Sequence, residues 1–400
     1  MKRLFISIIL ICIVLITASC SGKLPETNEY KCEFDTKNKT VSIVGYEGSS
    51  EKIVIPEKFG KYTVTEIGRN AFSKNYELSK ITIPETVTSI GDRAFELCIG
   101  LKEIELPPEL KSIGNAAFSN CRSLRKISIP EAVEKIGLSV FTGCTSLEKI
   151  EVDENNSNYV SDRYGALLDK NQTTVIQYPT GSQRTKYEMP NTVTTIESYA
   201  FEKSKNLEEV TFSENLKTIK SYAFQASGIR SAEFSDRLEQ IGNFAFNESK
   251  LSSITLGNSV KSIGDSAFAW CTSLTEIEIP STTDVIGVSA FFMCTSIEKY
   301  TIGKENKKFA SDDYGVLFNK DKSILLYYPV GSATEEYTVP STVKTISASS
   351  FSTCLNIKKI IIPDSVEEIN DLAFSQCPNL ADVIYEGTKP ESIAENAFEK

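Results

Sequence analysis

The chain has 400 residues, of which 43 are lysine or arginine and 53 are aspartate or glutamate, giving a formal net charge of −10 at pH 7. Nucleic acid is an improbable partner for an acidic chain, because binding to a phosphate backbone depends on clusters of lysine and arginine. Histidine is absent, which excludes histidine-dependent nucleophile pairs and removes the commonest zinc ligand. We therefore expect a protein that is not an enzyme and binds no cofactor or metal. A hydrolase that uses two carboxylates is the remaining catalytic alternative.

Residues 1–19 have the pattern of a secretory signal peptide. Two basic residues precede thirteen mostly apolar residues at positions 4–16, a run too short to cross about 30 Å of hydrocarbon, which needs about 20 residues. The small residues before Cys20 resemble a lipobox, so we expect cleavage after residue 19 and a lipid anchor on Cys20. Residues 20–29 would form a short tether. The folded part would face outward from the cell membrane or the outer membrane; an unlipidated secretory signal is the alternative.

A block of about 23 residues recurs along the chain. Its clearest copies begin at Ile81, Ile104 and Ile127, and the first of them reads ITIPETVTSIGDRAFELCIGLKE. A fixed period of this length predicts a solenoid, in which each turn buries its apolar residues against the turns before and after it. We expect one elongated domain. Its parts are a hairpin cap and first repeat at residues 30–80, and regular repeats at residues 81–149, 187–299 and 337–400.

One repeat, residues 101–121, shows the expected course of each turn. Apolar and polar residues alternate over 101–106, which is typical of a half-buried strand. Pro107 ends this strand because proline cannot donate to a ladder. Residues 110–113 suggest a second extended piece, and a brief helical turn is expected to begin at Ala116. Stacked turns would place strand on strand about 4.8 Å apart, which predicts a β-rich solenoid with a parallel ladder and short helical turns.

A phenylalanine recurs once in almost every repeat, at the same place in the block. Because stacking repeats bring equivalent residues together, we interpret these rings as a column that fills the core. An aromatic platform for a ligand is the remote alternative. The column comprises Phe72, Phe95, Phe118, Phe141, Phe201, Phe224, Phe246, Phe268, Phe291, Phe351, Phe374 and Phe398.

Cysteine recurs three positions after seven of these phenylalanines, and serine or asparagine takes its place in other repeats. This interchange indicates a tight, buried position. Disulfides are an option in an exported chain, but in-register neighbours keep their Cβ atoms about 4.8 Å apart, longer than a relaxed disulfide allows. We therefore predict free buried thiols at Cys98, Cys121, Cys144, Cys271, Cys294, Cys354 and Cys377.

Two longer inserts, residues 150–186 and 300–336, interrupt the regular repeats. They lie 150 positions apart and share the elements Y-G-x-L and Y-P, which indicates duplication of a larger unit. Turns rich in Asp and Asn predict a β-hairpin in each insert, protruding from or thickening the solenoid. Tyrosine is a frequent anchor in binding surfaces. The candidate ligand-binding residues are Tyr164, Tyr178, Tyr314, Tyr327 and Tyr328.

Asp153, Asn155 and Asp162 in the first insert carry the oxygen ligands that calcium prefers. However, Gly303 replaces Asp153 in the second insert, so the two copies cannot share a calcium site. We therefore interpret these residues as parts of a solvated turn.

The outward residues on the first strand of each repeat form columns of mixed charges and hydroxyl groups, with Lys80, Glu103 and Lys126 at the start of one column. The simplest interpretation is the solvated face of a sheet. Solenoids also use long repeat surfaces to hold large ligands. A binding face is therefore the alternative, second to the insert tyrosines.

The elements I-x-I-P, I-G and A-F-x-x-C resemble the BspA-like, or type-5, leucine-rich repeats of bacterial surface proteins. The resemblance covers Tyr30 to Lys400, and the segment from Lys39 to Phe72 is similar to the opening hairpin of that family. It implies a right-handed leucine-rich-repeat coil. It also implies adhesion to host extracellular proteins or to other bacteria.

From these observations we expect a lipid-anchored cell-surface protein whose partner is an extracellular protein or glycan, and which meets the membrane only through its N-terminal lipid. An envelope scaffold or a glycan-binding lipoprotein without a host target is the alternative. The chain stops partway through a repeat at Lys400. This pattern indicates either a fragment or an end that packs on a partner, so self-association at the uncapped end is a further expectation.

Overall fold

The computed structural model describes residues 26–399. Within that range the chain consists of strands and hydrogen-bonded turns without a helix, so the described part holds no helical segment suited to spanning a bilayer. The predicted signal peptide, Cys20 and most of the predicted tether lie outside the described residues. The described chain is a parallel β-solenoid, as the repeats predict.

The opening of the described chain is an antiparallel hairpin followed by a short strand. The hairpin's second strand pairs in parallel with the first long strand of the solenoid, at residues 62–67. The ring of Tyr46 lies 5.4 Å from that of Phe72, so the hairpin covers the first ring of the core. The opening strands are β1 (Tyr30–Asp35), β2 (Thr40–Tyr46) and β4 (Lys58–Phe59).

The first strand of each repeat belongs to what we name the first ladder. Lys80 and Thr82 point outward and Ile81 points inward, and Ile81 lies opposite Ile104 of the next turn. The strands are β3 (Lys52–Val54), β6 (Lys80–Thr82), β8 (Glu103–Glu105), β10 (Lys126–Ile129), β12 (Lys149–Val152), β16 (Lys186–Glu188), β18 (Glu209–Thr211), β20 (Ser231–Glu233), β22 (Ser253–Thr255), β24 (Glu276–Ile279), β26 (Lys299–Ile302), β30 (Glu336–Thr338), β32 (Lys359–Pro363) and β34 (Asp382–Glu386).

The predicted second extended piece of each repeat is confirmed and builds the second ladder. Ile90 lies opposite Ile67 on one side and Ile113 on the other, so a second buried column runs along the wall. The strands are β5 (Tyr62–Ile67), β7 (Ser89–Ile90), β9 (Ser112–Ile113), β11 (Lys135–Ile136), β17 (Thr195–Ile196), β19 (Thr218–Ile219), β21 (Gln240–Ile241), β23 (Ser262–Ile263), β25 (Val285–Ile286), β31 (Thr345–Ile346), β33 (Glu368–Ile369) and β35 (Ser392–Ile393).

The prediction of a short helical turn after the second ladder is wrong. Ala116 and Asn120 have φ angles of 53° and 60°, which a right-handed helix does not accommodate. The N–H of Ser119 bonds to the Ala116 carbonyl of its own turn at 3.0 Å, whereas the N–H of Phe118 crosses to Val140 of the next turn at 3.0 Å. A helix does not form because every second N–H group bonds to a carbonyl of the next turn instead of one in its own turn. The segment therefore forms a third ladder.

The phenylalanine column is confirmed as the centre of the core. Phe95 is fully buried and stacks on Phe72 and Phe118, with ring centroids 5.4 and 5.3 Å apart and interplanar angles of 4° and 3°. Offset parallel rings at this spacing attract each other in addition to burying apolar area. Phe95 is therefore stabilised by the repeats on both sides.

Each insert forms the predicted hairpin and is built into the second ladder. In the first insert the two hairpin strands pair antiparallel, and the later one then pairs in parallel with β17. The second ladder thus resumes directly from the hairpin. The insert strands are β13 (Tyr159–Ser161), β14 (Leu167–Asp169) and β15 (Thr174–Gln177), and β27 (Phe309–Ser311), β28 (Leu317–Asn319) and β29 (Ile324–Tyr327).

The first ladder is interrupted at each insert. The consecutive strands β12 and β16 do not pair with each other, and neither do β26 and β30. In the first interruption the carbonyl of Gly165 accepts the N–H of Ile150 at 3.1 Å, so the turn before β14 occupies the place of a strand. The first ladder therefore has a break at each insert, besides those between β8 and β10 and between β22 and β24.

The cysteines of the column are free and buried, as the sequence predicts. The Cys121 Sγ lies 3.2 Å from the carbonyl oxygen of Phe95, and the Cys98 Sγ lies 3.2 Å from that of Phe72. Both thiols therefore bond to the preceding turn. Burial raises the pKa of Cys98 to about 12, and it raises that of Cys32, in the opening hairpin, to about 11.

Replacing a ring in the middle of the column should destabilise the protein more than replacing one at its end. Phe224 is fully buried and stacks on Phe201 at 4.6 Å and Phe246 at 5.1 Å. Phe224→Ala should therefore lower the free energy of unfolding by about 3–5 kcal/mol. Phe398→Ala is the matched control, because Phe398 is half-buried and stacks on Phe374.

Chemical denaturation followed by the fluorescence of Trp270, the single tryptophan, measures both variants. Equal losses of stability in the two would contradict a column in which Phe224 is held from both sides and Phe398 from one.

The column thiols should resist a water-soluble disulfide reagent at pH 8. Their raised pKa values keep them protonated at this pH, and the thiolate is the reactive form; burial also excludes the reagent. Mass spectrometry of labelled peptides should find Cys98 and Cys121 unmodified in the native protein and modified after denaturation. Cys121→Ser should remain folded, because Ser204 holds the same position in another repeat. Native labelling of Cys98 at the rate of a free thiol would contradict the buried arrangement.

Candidate functional site

Opposite charges on the outer face of the first ladder pair with each other. Lys80 Nζ lies 2.8 Å from a carboxylate oxygen of Glu103. The carboxylate of Glu151 pairs with the Nζ of Lys126 at 2.5 Å and with that of Lys149 at 2.8 Å. Hydrogen bonds from these two lysines lower the pKa of Glu151 to about 2. Solvent-exposed pairs contribute little to stability. Their main effect here is to neutralise one another's charge on this part of the face.

Three of the five candidate tyrosines belong to the core. Tyr178 and Tyr328 are each 1% exposed and take the place of phenylalanine in the ring column. They stack on Phe201 at 5.2 Å and on Phe351 at 4.6 Å. Tyr327 is half-buried and packs against the same core. The prediction that these three are surface anchors is corrected, because the chain after the hairpin enters the ring column directly.

Tyr164 lies in the turn between β13 and β14, where the first ladder is interrupted. Its ring is half-buried and packs edge-on against Tyr187 at 5.0 Å. The guanidinium groups of Arg163 and Arg184 lie over this ring at 4.9 and 5.5 Å. Arg163 also donates to the Tyr164 hydroxyl at 3.0 Å and pairs with Glu188. An aromatic ring, two cations and a carboxylate therefore meet at one place.

Asp162 holds the turn that carries Tyr164. Its Oδ1 accepts the N–H of Tyr164 at 2.8 Å and that of Ala166 at 2.9 Å. Burial raises the pKa of Asp162. Burial, together with the nearby Asp162 carboxylate, also raises the pKa of Tyr187. Because the carboxylate fixes the backbone of the turn, Tyr164 is presented by a rigid support.

The second insert has the same arrangement of a surface tyrosine, a core tyrosine and an aspartate, but the residues around it differ. Tyr314 is 52% exposed and packs edge-on against Tyr337 at 5.4 Å, whose hydroxyl donates to Asp312 at 2.7 Å. The neighbours that differ are Asp313, Lys322, Thr334 and Thr338, at the positions of Arg163, Gln172, Arg184 and Glu188.

Asp153 and Asp162, two of the residues considered for calcium, each use one carboxylate oxygen to bind the backbone of their own turn. Asp153 accepts the N–H of Asn155 at 2.9 Å, in the same way that Asp162 accepts that of Tyr164. Among residues 26–399 there is no group of three or more His, Cys, Asp or Glu side chains that could hold a metal ion.

Sequence reasoning did not single out Arg163 and Arg184, because neither belongs to the repeat pattern. A comparison of the two inserts at their spacing of 150 would have found them. Tyr164 and Tyr314 agree between the copies, whereas the arginines do not.

A parallel β-solenoid with an inward aliphatic residue on each strand and one inward ring in each turn is the architecture of a leucine-rich-repeat protein. The sequence matches the BspA type leucine rich repeat region in six copies, at residues 65–166, 193–315 and 327–400. The chain belongs to the BspA-type leucine-rich-repeat family.

Several solved structures are similar. The pneumococcal vaccine antigen PcpA is 21% identical, with a TM-score of 0.54 over 92% of this chain and 99% of that chain; at this identity it supports the fold alone. A leucine-rich repeat protein from Bacteroides ovatus is 24% identical, with a TM-score of 0.43 over 89% of this chain and 92% of that one. Another from Eubacterium ventriosum is 23% identical, with a TM-score of 0.38 over 90% of this chain and 82% of that one. No match was found among the curated proteins.

Proposed function

We propose that this chain is a lipid-anchored cell-surface binding protein, without catalytic activity, that mediates adhesion to host extracellular or cell-surface ligands. The observation that carries the proposal is the pair of surface tyrosines, Tyr164 and Tyr314. Each packs edge-on against a core tyrosine, at a place where the first ladder is interrupted. Rigid surface aromatics are favoured binding anchors, and the charges on the surrounding face largely pair with each other.

Membership of the BspA-type family supports a role in binding at the cell surface. The second candidate is an envelope scaffold or a glycan-binding lipoprotein without a host target. The polar side chains around Tyr164 favour this candidate where the ligand is a bacterial glycan.

The proposed anchor is Cys20, which follows small residues after an apolar run. Bacteria that express the chain should incorporate labelled palmitate into it. Cys20→Ser should abolish the label, because lipidation requires this thiol. Cys12→Ser, within the same leader, should keep it. A label that persists in Cys20→Ser would show that the lipid is attached elsewhere or that the leader is of another type.

Binding of the purified full chain to matrix proteins, serum proteins and cell-surface glycans tests the adhesion proposal. Saturable binding at physiological salt is expected, and the Tyr164→Ala, Tyr314→Ala double variant should weaken it about tenfold or more, the scale of a binding hot spot. Thr211→Ala, on the exposed face of the first ladder between the inserts, is the matched control and should bind normally.

Thermal unfolding of each variant must first show that the fold is kept. Failure to bind any of these ligands would overturn the proposed function. Binding that the double variant leaves unchanged would place the binding surface away from the tyrosines.

A further inference from the structure

A row of partly exposed aromatic rings follows the outer side of the third ladder. Tyr199, Tyr222 and Phe244 hold the same position in three successive turns, and all three are half-buried. Their rings stack face to face, 4.8 Å apart at each step, with interplanar angles of 3° and 4°. Trp270, on the turn after Phe244, is 45% exposed and packs edge-on against Phe292 at 6.2 Å. We name Tyr199, Tyr222, Phe244 and Trp270 the aromatic strip.

The repeat does not require an aromatic ring at the position of the three stacked residues. Tyr199, Tyr222 and Phe244 have φ angles of 64°, 62° and 56°, in the left-handed region that bulky residues rarely adopt. Residues held in this region often mark functional positions. Other repeats place mostly small or polar residues there, also with positive φ, namely Asn70, Arg93, Ala116, Ser139, Ser266, Ser289, Ser349 and Leu372.

The aromatic strip offers ring edges and hydrogen-bond donors to a ligand. Both faces of the Tyr222 ring are covered by the neighbouring rings, so a flat ligand cannot stack on them. The hydroxyl groups of Tyr199 and Tyr222 and the indole N–H of Trp270 have no hydrogen-bond partner among residues 26–399. A complementary ligand therefore brings apolar groups to the ring edges and unpaired carbonyl oxygens to the donors.

The charges beside the aromatic strip are almost balanced. Lys220 pairs with Glu197 and Lys203 pairs with Glu202, each at 2.5 Å. Glu248 is exposed on the third of these turns and forms no ion pair with any described residue. By charge, the strip is therefore complementary to a ligand that is uncharged along most of its length and carries one basic side chain.

A polyproline II chain meets these requirements. It has no internal hydrogen bonds, so its carbonyl groups are free to accept, and proline-rich chains dock on aromatic surfaces in this conformation. Two ladder steps of 4.8 Å each nearly equal one turn of the polyproline II helix, roughly 9 Å for three residues of about 3.1 Å. Ligand residues three apart would therefore meet Tyr199 and Phe244.

We propose that the aromatic strip binds an extended, proline-rich polypeptide in the polyproline II conformation, with a basic side chain that pairs with Glu248. The ligand lies along the solenoid axis, and its proline rings contact the ring edges. Its carbonyl groups accept hydrogen bonds from the hydroxyls of Tyr199 and Tyr222 and from the indole of Trp270. The strip lies on a different ladder from the two insert tyrosines, so this inference goes beyond the proposed function and does not depend on it.

Titration of the full chain, purified in detergent, with a decaproline peptide that ends in arginine tests the proposal. The readout is the fluorescence of Trp270, which is the single tryptophan and lies in the strip. A saturable change is expected, because the bound peptide covers the exposed indole. A glycine-serine peptide of the same length with the same arginine is the matched ligand control and should cause no saturable change.

Substitutions in the strip test which side chains bind the peptide. The double variant Tyr199→Ser, Tyr222→Ser introduces the residue that another repeat has at Ser266, and it should weaken binding about tenfold or more. Tyr222→Phe keeps the ring stack and removes one donor, so it should weaken binding about fivefold. Tyr76→Ser is the control, because Tyr76 is 50% exposed on another turn, and it should bind normally.

The role of Glu248 has its own test. Glu248→Gln should weaken binding of the arginine peptide about two- to fivefold, the scale of an exposed ion pair. It should also remove the preference for this peptide over decaproline without arginine. An unchanged preference would overturn the assignment of the basic side chain to Glu248.

Three results would overturn the proposed ligand: no fluorescence change with the proline peptide, an equal change with the glycine-serine peptide, or normal binding by the double variant. Thermal unfolding shows whether the double variant keeps its fold. If it does not, normal binding by Tyr222→Phe would overturn the proposal instead. Cellohexaose is the uncharged glycan comparison, and a response to it in place of the peptide would assign the strip to a saccharide and overturn the polypeptide ligand.

Discussion

Hydrogen bonds between successive turns are the constraint on which the whole solenoid depends. Three separate ladders use them: Ile81 lies against Ile104 in the first, Ile90 against Ile113 in the second, and the N–H of Phe95 bonds to the next turn at 2.8 Å in the third. Ordering one turn costs more conformational entropy than its own few buried side chains return. Each turn is therefore stable only beside its neighbours, and the regular spacing of apolar residues follows from that need.

Each insert adds a surface feature, and the second ladder continues from its hairpin. Tyr178 and Tyr328 take the place of phenylalanine after the inserts and stack on Phe201 and Phe351, so the ring column resumes there. The first ladder is interrupted on the outside, and the turn that fills the interruption carries Tyr164. The candidate site is thus supported directly by the most deeply buried part of the molecule, through Tyr187.

Much of the fold could be predicted from the sequence, because the period of about 23 residues aligns equivalent residues and the strand alternation identifies which of them are buried. The conformation of the turn at Ala116 could not be predicted in this way. An alanine-rich segment favours a helix locally, but bonds to the next turn outweigh that preference. Residue type also does not show that Tyr178 is buried in the ring column while Tyr164 lies at the surface, because both are tyrosines. The backbone path of the insert determines which ring enters the column. The arginines beside Tyr164 carry no repeat signal at all.

The direction of the ladders determines how this molecule responds to force. Bonds between successive turns lie along the long axis of the coil, so a pull between its two ends strains the junctions one after another. The turns then separate singly, and a fully extended residue adds about 3.3–3.6 Å to the chain. A fold built this way lengthens in steps under tension, and the turns that remain stacked keep their rings paired and their thiols enclosed.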